Sequence, residues 1–318
     1  FEITSLRKDI STDGRHAKVQ FSNNWKQDAS RRDFTINSIY SDSEGNLFDP
    51  FNGKGDLENG LIKFIGDTDT RVKEDYLRIL RYLRFFANYS KQPHNPDVIR
   101  KLKIHIGGVL NLSKERLLDE LKKIVDLETL EKITKNKISL SLFQLIFPEL
   151  KNINIFSKLN SELKEIIKEA DFIFLISLMV LDNTDNTDYF IYKFNISKKN
   201  QKRIKIIDNF YKEKIQSKTF TEDEMNKIFY YDGRQAVIDI LNYQLIKSKK
   251  IDQKLNELID LYKHKIMPKM PIGAEILMKK FNIPEGKQLG LKLKLIEEEW
   301  VRNNFSISDK QVNNIINN

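Results

Sequence analysis

The sequence predicts an α+β protein in which a short strand-bearing segment is followed by helices. Three observations predict it. Period-two alternation, the mark of strands, is confined to residues 1–66. Beyond them, apolar residues recur at three- and four-residue steps, the period of a helix packed on one face. The 318 residues, 40% of them hydrophobic, are enough for two or more packed units rather than one core.

In order, residues 1–5 (FEITS) and 16–21 (HAKVQF) alternate as two strands. A polar loop with Asp9 and the turn Asp13-Gly14 separates them, so an antiparallel pair is expected, with Glu2 on one face. Residues 28–40 (DASRRDFTINSIY) follow. Phe34, Ile36 and Ile39 suit a short helix with Arg31, Arg32 and Asp33 at its start. Adjacent arginines at a helix N-terminus favour an anion such as a triphosphate, although a surface ion-pair cluster has the same letters. Residues 46–57 (NLFDPFNGKGDL) read as strand then turn, Gly53 and Gly55 supplying a tight bend. Residues 61–65 (LIKFI) read as a further strand.

The central stretch is 71–86, RVKEDYLRILRYLRFF. Val72, Tyr76, Ile79, Leu80, Leu83 and Phe86 make one buried helical stripe. Glu74, Asp75, Arg78, Arg81 and Arg84 recur at helical steps, where side chains are neighbours. A solvated face of ion pairs has this pattern. So does a device that reads a base, since aspartate accepts from an exocyclic amine and arginine donates as a planar fork. Helices are expected almost throughout the remainder: at 95–106, from an N-cap at Ser113, and in pieces over 127–208. The basic run 198–214 holds Phe210 and Tyr211, as a groove tracking an RNA backbone would, or a lysine-rich exposed helix. Near the C-terminus, Leu277, Met278 and Phe281 make a helix face, and Pro284, Gly286 and Gly290 mark a turn into a helix ending near Trp300.

A net charge of +9 and a pI near 9.3 attract polyanions, nucleic acid first, although abundant Lys, Ile and Asn also follow from AT-rich coding. The chain contains no cysteine, which excludes disulfides and thiolate metal sites and fits a reducing cytoplasm. No apolar run is long enough for a membrane span. The opening FEITSLR carries neither a leader nor an initiator Met, so a fragment is expected. The four histidines are scattered without metal-ligand spacing, and no Walker or Rossmann loop is present.

The motifs DASRRDFTINSIY, DPFNGKGDL, IGDTDTRVKEDYLRILRYLRF and SKERLLDEL, in this order, resemble the class II tRNA nucleotidyltransferases. That family holds the CCA-adding enzymes and the bacterial poly(A) polymerases. The resemblance is strong over residues 1–125 and weaker over 270–305. It implies the C-terminal part of a nucleotidyltransferase palm, or head, at 1–66. It further implies a helical neck with the nucleotide-selecting helix at 67–126, a helical body at 127–215 and a tRNA-binding tail at 216–318. The implied reaction is attack of a tRNA 3′ hydroxyl on the α-phosphate of CTP or ATP, with magnesium and release of pyrophosphate.

By position, the resemblance implies that Arg32 meets phosphate or ribose with Arg31 supporting, and that Asp33 serves catalysis or the ribose. Asp75 and Arg78 would read C or A, Glu74 would hold Arg78, and Arg81 and Arg84 would meet the triphosphate. The segment from Ser113 to Arg116 would stabilise the neck, and Glu2 would be a further acidic residue. The family's metal-binding Asp-x-Asp pair is expected upstream of residue 1. Asp67-Thr-Asp69 has its letters but lies before the central helix. This chain is therefore expected to be inactive alone and the full-length product active. Tyr76, where the polymerases usually carry proline, favours CCA addition. The alternatives are a poly(A) polymerase or A-adding enzyme, and a non-catalytic RNA-binding fragment.

Overall fold

The computed structural model describes residues 5–12, 17–213 and 220–317. Strand β1 (Arg7–Thr12) pairs antiparallel with β2 (Ala17–Phe21), Arg7 facing Phe21 and Thr12 facing Ala17. Four residues of the expected strand at 1–5 lie outside the described residues, and Asp9, expected in a loop, lies within β1 opposite Val19. Glu2 lies outside the described residues.

Helix α1 (Trp25–Ser30) starts at Asn24, whose side chain accepts the Gln27 amide. Arg31 is its C-cap, so the two arginines close a helix instead of opening one. Phe34 to Ile39 form no α-helix, only a 3-10 turn at Thr35–Asn37. Strands β3 (Tyr40–Ser41) and β4 (Leu47–Phe48) pair antiparallel. The expected glycine bend is instead helix α2 (Gly53–Glu58), because Asp49 accepts the Gly53 and Lys54 amides at 2.7 and 2.9 Å. Gly53 is needed for close approach: a Cβ there would stand 2.2 Å from the Thr35 carbonyl oxygen. Thr35 Oγ1 also donates to the buried Asp56, 2.7 Å away. Residues 61–65 form no strand, only the bridge Phe34↔Phe64, since alternation without a partner strand makes no ladder.

The central stretch is two helices, α3 (Thr68–Glu74) and α4 (Leu77–Tyr89). Between them Asp75 is extended, at φ −156° and ψ 107°. Its carboxylate accepts the Leu77 amide at 3.1 Å, the local bond by which Asp competes with helix and restarts one. The apolar stripe of α4 is buried, and Phe34 reaches it with ring centroids 5.3 Å from Phe85. Helices α5 (Pro96–Ile104), α6 (Lys114–Ile124), α7 (Leu127–Lys135) and α8 (Lys137–Ile146) follow. Then come α9 (Ser161–Glu169), α10 (Phe172–Val180) and α11 (Asn186–Lys193). Ser113 caps α6 as expected. Buried His94 ties α4 to α8, bonding the Tyr82 hydroxyl at 3.1 Å and Ser139 at 2.9 Å.

The chain divides into two compact units, Phe1–Ser197 and Lys198–Asn318. The second contains α12 (Lys198–Glu213), α13 (Glu222–Asp232), α14 (Arg234–Ser248) and α15 (Gln253–His264). It continues through α16 (Ala274–Phe281), α17 (Lys287–Arg302) and α18 (Asp309–Asn317). A Thr221–Glu224 capping box opens α13. Leu277, Leu289, Ile296 and Val312 form the core of the last three helices. Gly286, at φ 150°, precedes α17, whereas Gly290 lies inside that helix and not in the turn. Among the described residues no helix is long and apolar enough to cross a membrane.

Candidate nucleotide-binding site

The carboxylate of Asp28, wholly buried at the end of α1, gathers the Arg-Arg turn. It accepts from Arg31 Nη2 at 2.6 Å, Arg32 Nη2 at 3.0 Å, the Tyr40 hydroxyl at 2.7 Å and the Arg7 amide at 3.1 Å. Burial pushes this carboxyl up, but donors from Tyr40, Arg31, the Arg7 amide and Arg32 outweigh it and hold it well below the usual range. Arg31 and Arg32 lie three and four residues beyond Asp28, neighbours around one helical turn.

Asp33 is bound differently. Its Oδ2 accepts from Arg81 Nε of α4 at 2.5 Å, and its Oδ1 from Asn37 at 2.9 Å and the Phe34 amide at 3.0 Å. Burial again works upward, and the Arg81 guanidinium with Asn37 and the Phe34 amide holds the carboxyl below its ordinary value. Asp33 is thus ionised near neutral pH and fixed to the helix that carries Arg78.

Arg71 joins the two regions. Its Nη2 donates to the carbonyls of Arg31, at 2.7 Å, and Arg32, while Nη1 meets Glu74 at 2.5 Å. Arg78 shares that Glu74 oxygen at 2.7 Å and donates to the Arg71 carbonyl at 2.9 Å. The Asp75 carboxylate is held from α6, where Arg116 Nη2 donates to Oδ2 at 2.7 Å. Arg84 points to α6, its Nε 2.6 Å from the buried Glu120.

Thus Arg31, Arg32, Glu74 and Arg78 are linked through Arg71, Asp33 pairs with Arg81, and the Asp75 carboxylate turns to Arg116 of α6. The ladder does not run along one continuous helix, because Asp75 interrupts it. Glu2 cannot be placed. The residues that sequence reasoning missed are Asp28, Arg71 and Glu120. Asp28 was legible from its spacing to the arginines, whereas the carbonyls that Arg71 bridges lie about 40 positions away and leave no local signal.

The residues present do not fit a metal cage. Among the described residues no three His, Cys, Asp or Glu gather to hold an ion. Asp67 already caps α3 and meets Lys101 at 2.9 Å. Asp69 pairs with Lys73 at 2.6 Å and His105 at 2.5 Å.

Residues 1–63 match the family model described as the Poly A polymerase head domain. The chain is 29% identical to the mouse "CCA tRNA nucleotidyltransferase 1, mitochondrial", over 98% of this chain and 71% of the mouse protein. It is 30% identical to a "CCA-adding enzyme" of Staphylococcus haemolyticus, over 76% of this chain and 58% of that protein. The Bacillus stearothermophilus CCA-adding enzyme, solved with CTP, superposes with a TM-score of 0.68 at 17% identity, covering 99% of this chain and 78% of that one. The Thermotoga maritima CCA-adding enzyme, solved with tRNA, gives 0.53 at 19% identity over 92% and 73% of the two chains. These structural likenesses show the shared fold. Together these likenesses support the class II tRNA nucleotidyltransferase family.

Proposed function

We propose that this protein selects the nucleotide and holds the tRNA in the addition of CCA to tRNA 3′ ends from CTP and ATP. The observation that carries the reading is the Arg71 network, which ties the backbone of the Arg31-Arg32 turn to Glu74 and Arg78. A turn rich in guanidinium donors suits a triphosphate. Asp75 and Arg78, across the helix break, are the acceptor and donor that read the Watson–Crick edge of C or A. Glu74 keeps Arg78 in place, and Arg81 meets the triphosphate from α4. Arg84, 16% exposed and bound to Glu120, contributes charge rather than contact.

The reaction forms a bond from the tRNA 3′ oxygen to the α-phosphate and breaks the bond to pyrophosphate. This chain's part is to orient the nucleotide and stabilise charge. Magnesium as the accompanying ion and the cytoplasm as the compartment rest on family and composition, and Glu2 stays proposed as a further acidic residue. The head, neck, body and tail at 1–66, 67–126, 127–215 and 216–318 belong to the same proposal.

The test is nucleotide incorporation by the full-length gene product into tRNA lacking its 3′ end, with CTP and ATP supplied separately and together. Two C additions, then one A and a stop, are expected. A run of A from ATP alone would replace CCA addition with poly(A) synthesis, and no incorporation would reject the transfer activity.

A further inference from the structure

The helix break that presents Asp75 leans on a glycine outside every motif named so far. Tyr76 follows Asp75 and is the N-cap of α4, at φ −63° and ψ −17°, with no side-chain cap bond of its own. Its ring lies against Gly108, in the 3-10 turn Ile106–Asn111. A Cβ at Gly108 would stand 2.3 Å from Tyr76 Cδ1 and Cε1 and 2.5 Å from Cγ. Real Cβ contacts are not that short. The clash reaches Cγ, at the root of the ring, so a movement of the phenol tip does not relieve it. The ring must turn about its base or carry the Tyr76 backbone with it.

The neighbouring glycine is an internal control. A Cβ at Gly107, in the same turn, would meet nothing within 4 Å. Neither glycine has the positive φ that favours glycine, so at Gly108 the requirement is for space. The Asp75 carboxylate is held by the Leu77 amide at 3.1 Å and Arg116 at 2.7 Å, and the Asp75 carbonyl accepts the Arg78 amide at 3.1 Å. Contact with Gly108 restrains the main chain immediately after it.

We propose that Gly108 and Tyr76 form a ring-and-socket contact that positions Asp75 and Arg78 for base selection. They are positioning residues and touch no reacting atom. The proposal rests on the reading of Asp75 and Arg78 as the base-selecting pair. Displacing a positioned group by an ångström can cost about a hundredfold. A shift of the Tyr76 backbone therefore changes discrimination between bases more than affinity for the triphosphate, which other elements supply.

The experiment measures dissociation constants of CTP, ATP and GTP on the full-length protein by calorimetry. The variants are Gly107→Ala, Gly108→Ala, Tyr76→Phe, Tyr76→Ala and Asp75→Ala. Wild type, Gly107→Ala and Tyr76→Phe should favour CTP and ATP over GTP alike. Gly108→Ala and Tyr76→Ala should each lower that preference by about tenfold or more while triphosphate affinity changes by less. If Gly108→Ala fails to fold, Tyr76→Ala decides, because it removes the ring without a clash. Asp75→Ala losing the preference while Tyr76→Ala and a folded Gly108→Ala keep it overturns the socket and spares the base-reading pair. Wild type binding CTP, ATP and GTP equally, or none of them, overturns both.

Discussion

Around residues 28–116 the interior of the first unit is crossed by charge, while that of Lys198–Asn318 is mainly aromatic and aliphatic. In the first, buried Asp28, Asp33, Arg71 and Glu120 each meet partners from other parts of the chain. In the second, Trp300 is enclosed edge-on by Tyr230 at 5.4 Å and Phe305 at 5.1 Å, with Phe229 and Tyr262 buried nearby in that unit. It has charged contacts too, Arg203 on buried Asp239 at 2.6 Å and Lys212 on buried Asp208 at 2.7 Å. The contrast teaches that stability and selection are carried by different materials. An apolar interior responds to volume. A web of guanidinium and carboxylate responds to the loss of one member, which strands the others without water.

The comparison is tested most strongly at Trp300. Trp300→Ala should cost about 3–5 kcal/mol of stability in chemical denaturation, with the preference among nucleotides unchanged. A changed preference would break the division between the regions. Next in size, Asp28→Ala should cost about 3 kcal/mol, the low end for stranding buried charge, because the Arg32 side chain stays 38% exposed. It should also weaken CTP and ATP alike by about tenfold, since it frees both arginines without touching Asp75. A variant that altered only one nucleotide would contradict that sharing.

Gly53→Ala tests the backbone contact beneath the Arg-Arg-Asp turn. Driving a Cβ against the Thr35 carbonyl should cost about 1–3 kcal/mol, read as a lower urea midpoint. The smallest effect is at His94, whose imidazole burial lowers from 6.5 to about 4, only partly offset by Asn136. The unfolded chain then binds more protons than the folded one between those values. Its contribution to stability is therefore full above pH 6.5 and lost as pH falls toward 4. His94→Gln should flatten the pH dependence of the denaturation midpoint in that window. An unchanged slope would remove His94 as its source.

Local chemistry was legible. The Ser113 cap, the apolar stripe of α4 and the Asp28 spacing to Arg31 and Arg32 all stand in the sequence. The break at Asp75 was hidden because the apolar period runs across it, from Val72 through Tyr76 to Ile79. Its signal was the aspartate two residues before Leu77, a capping pattern that the periodicity masked. Residues 61–65 alternate like a strand, but their pairing is limited to the single bridge Phe34↔Phe64. Arg71 and Glu120 could not be read, because their partners are brought near only by the fold. The same holds for Gly108, whose role depends on a ring 32 positions away.

The most direct test of the account is the order of nucleotide addition by Asp75→Ala and Arg78→Ala in the full-length protein, on tRNA lacking its 3′ end. Both variants should add nucleotides out of the C, C, A order, including G or U, while tRNA binding stays within about twofold of wild type. Retention of the full C, C, A order by both would contradict base selection at the α3–α4 break.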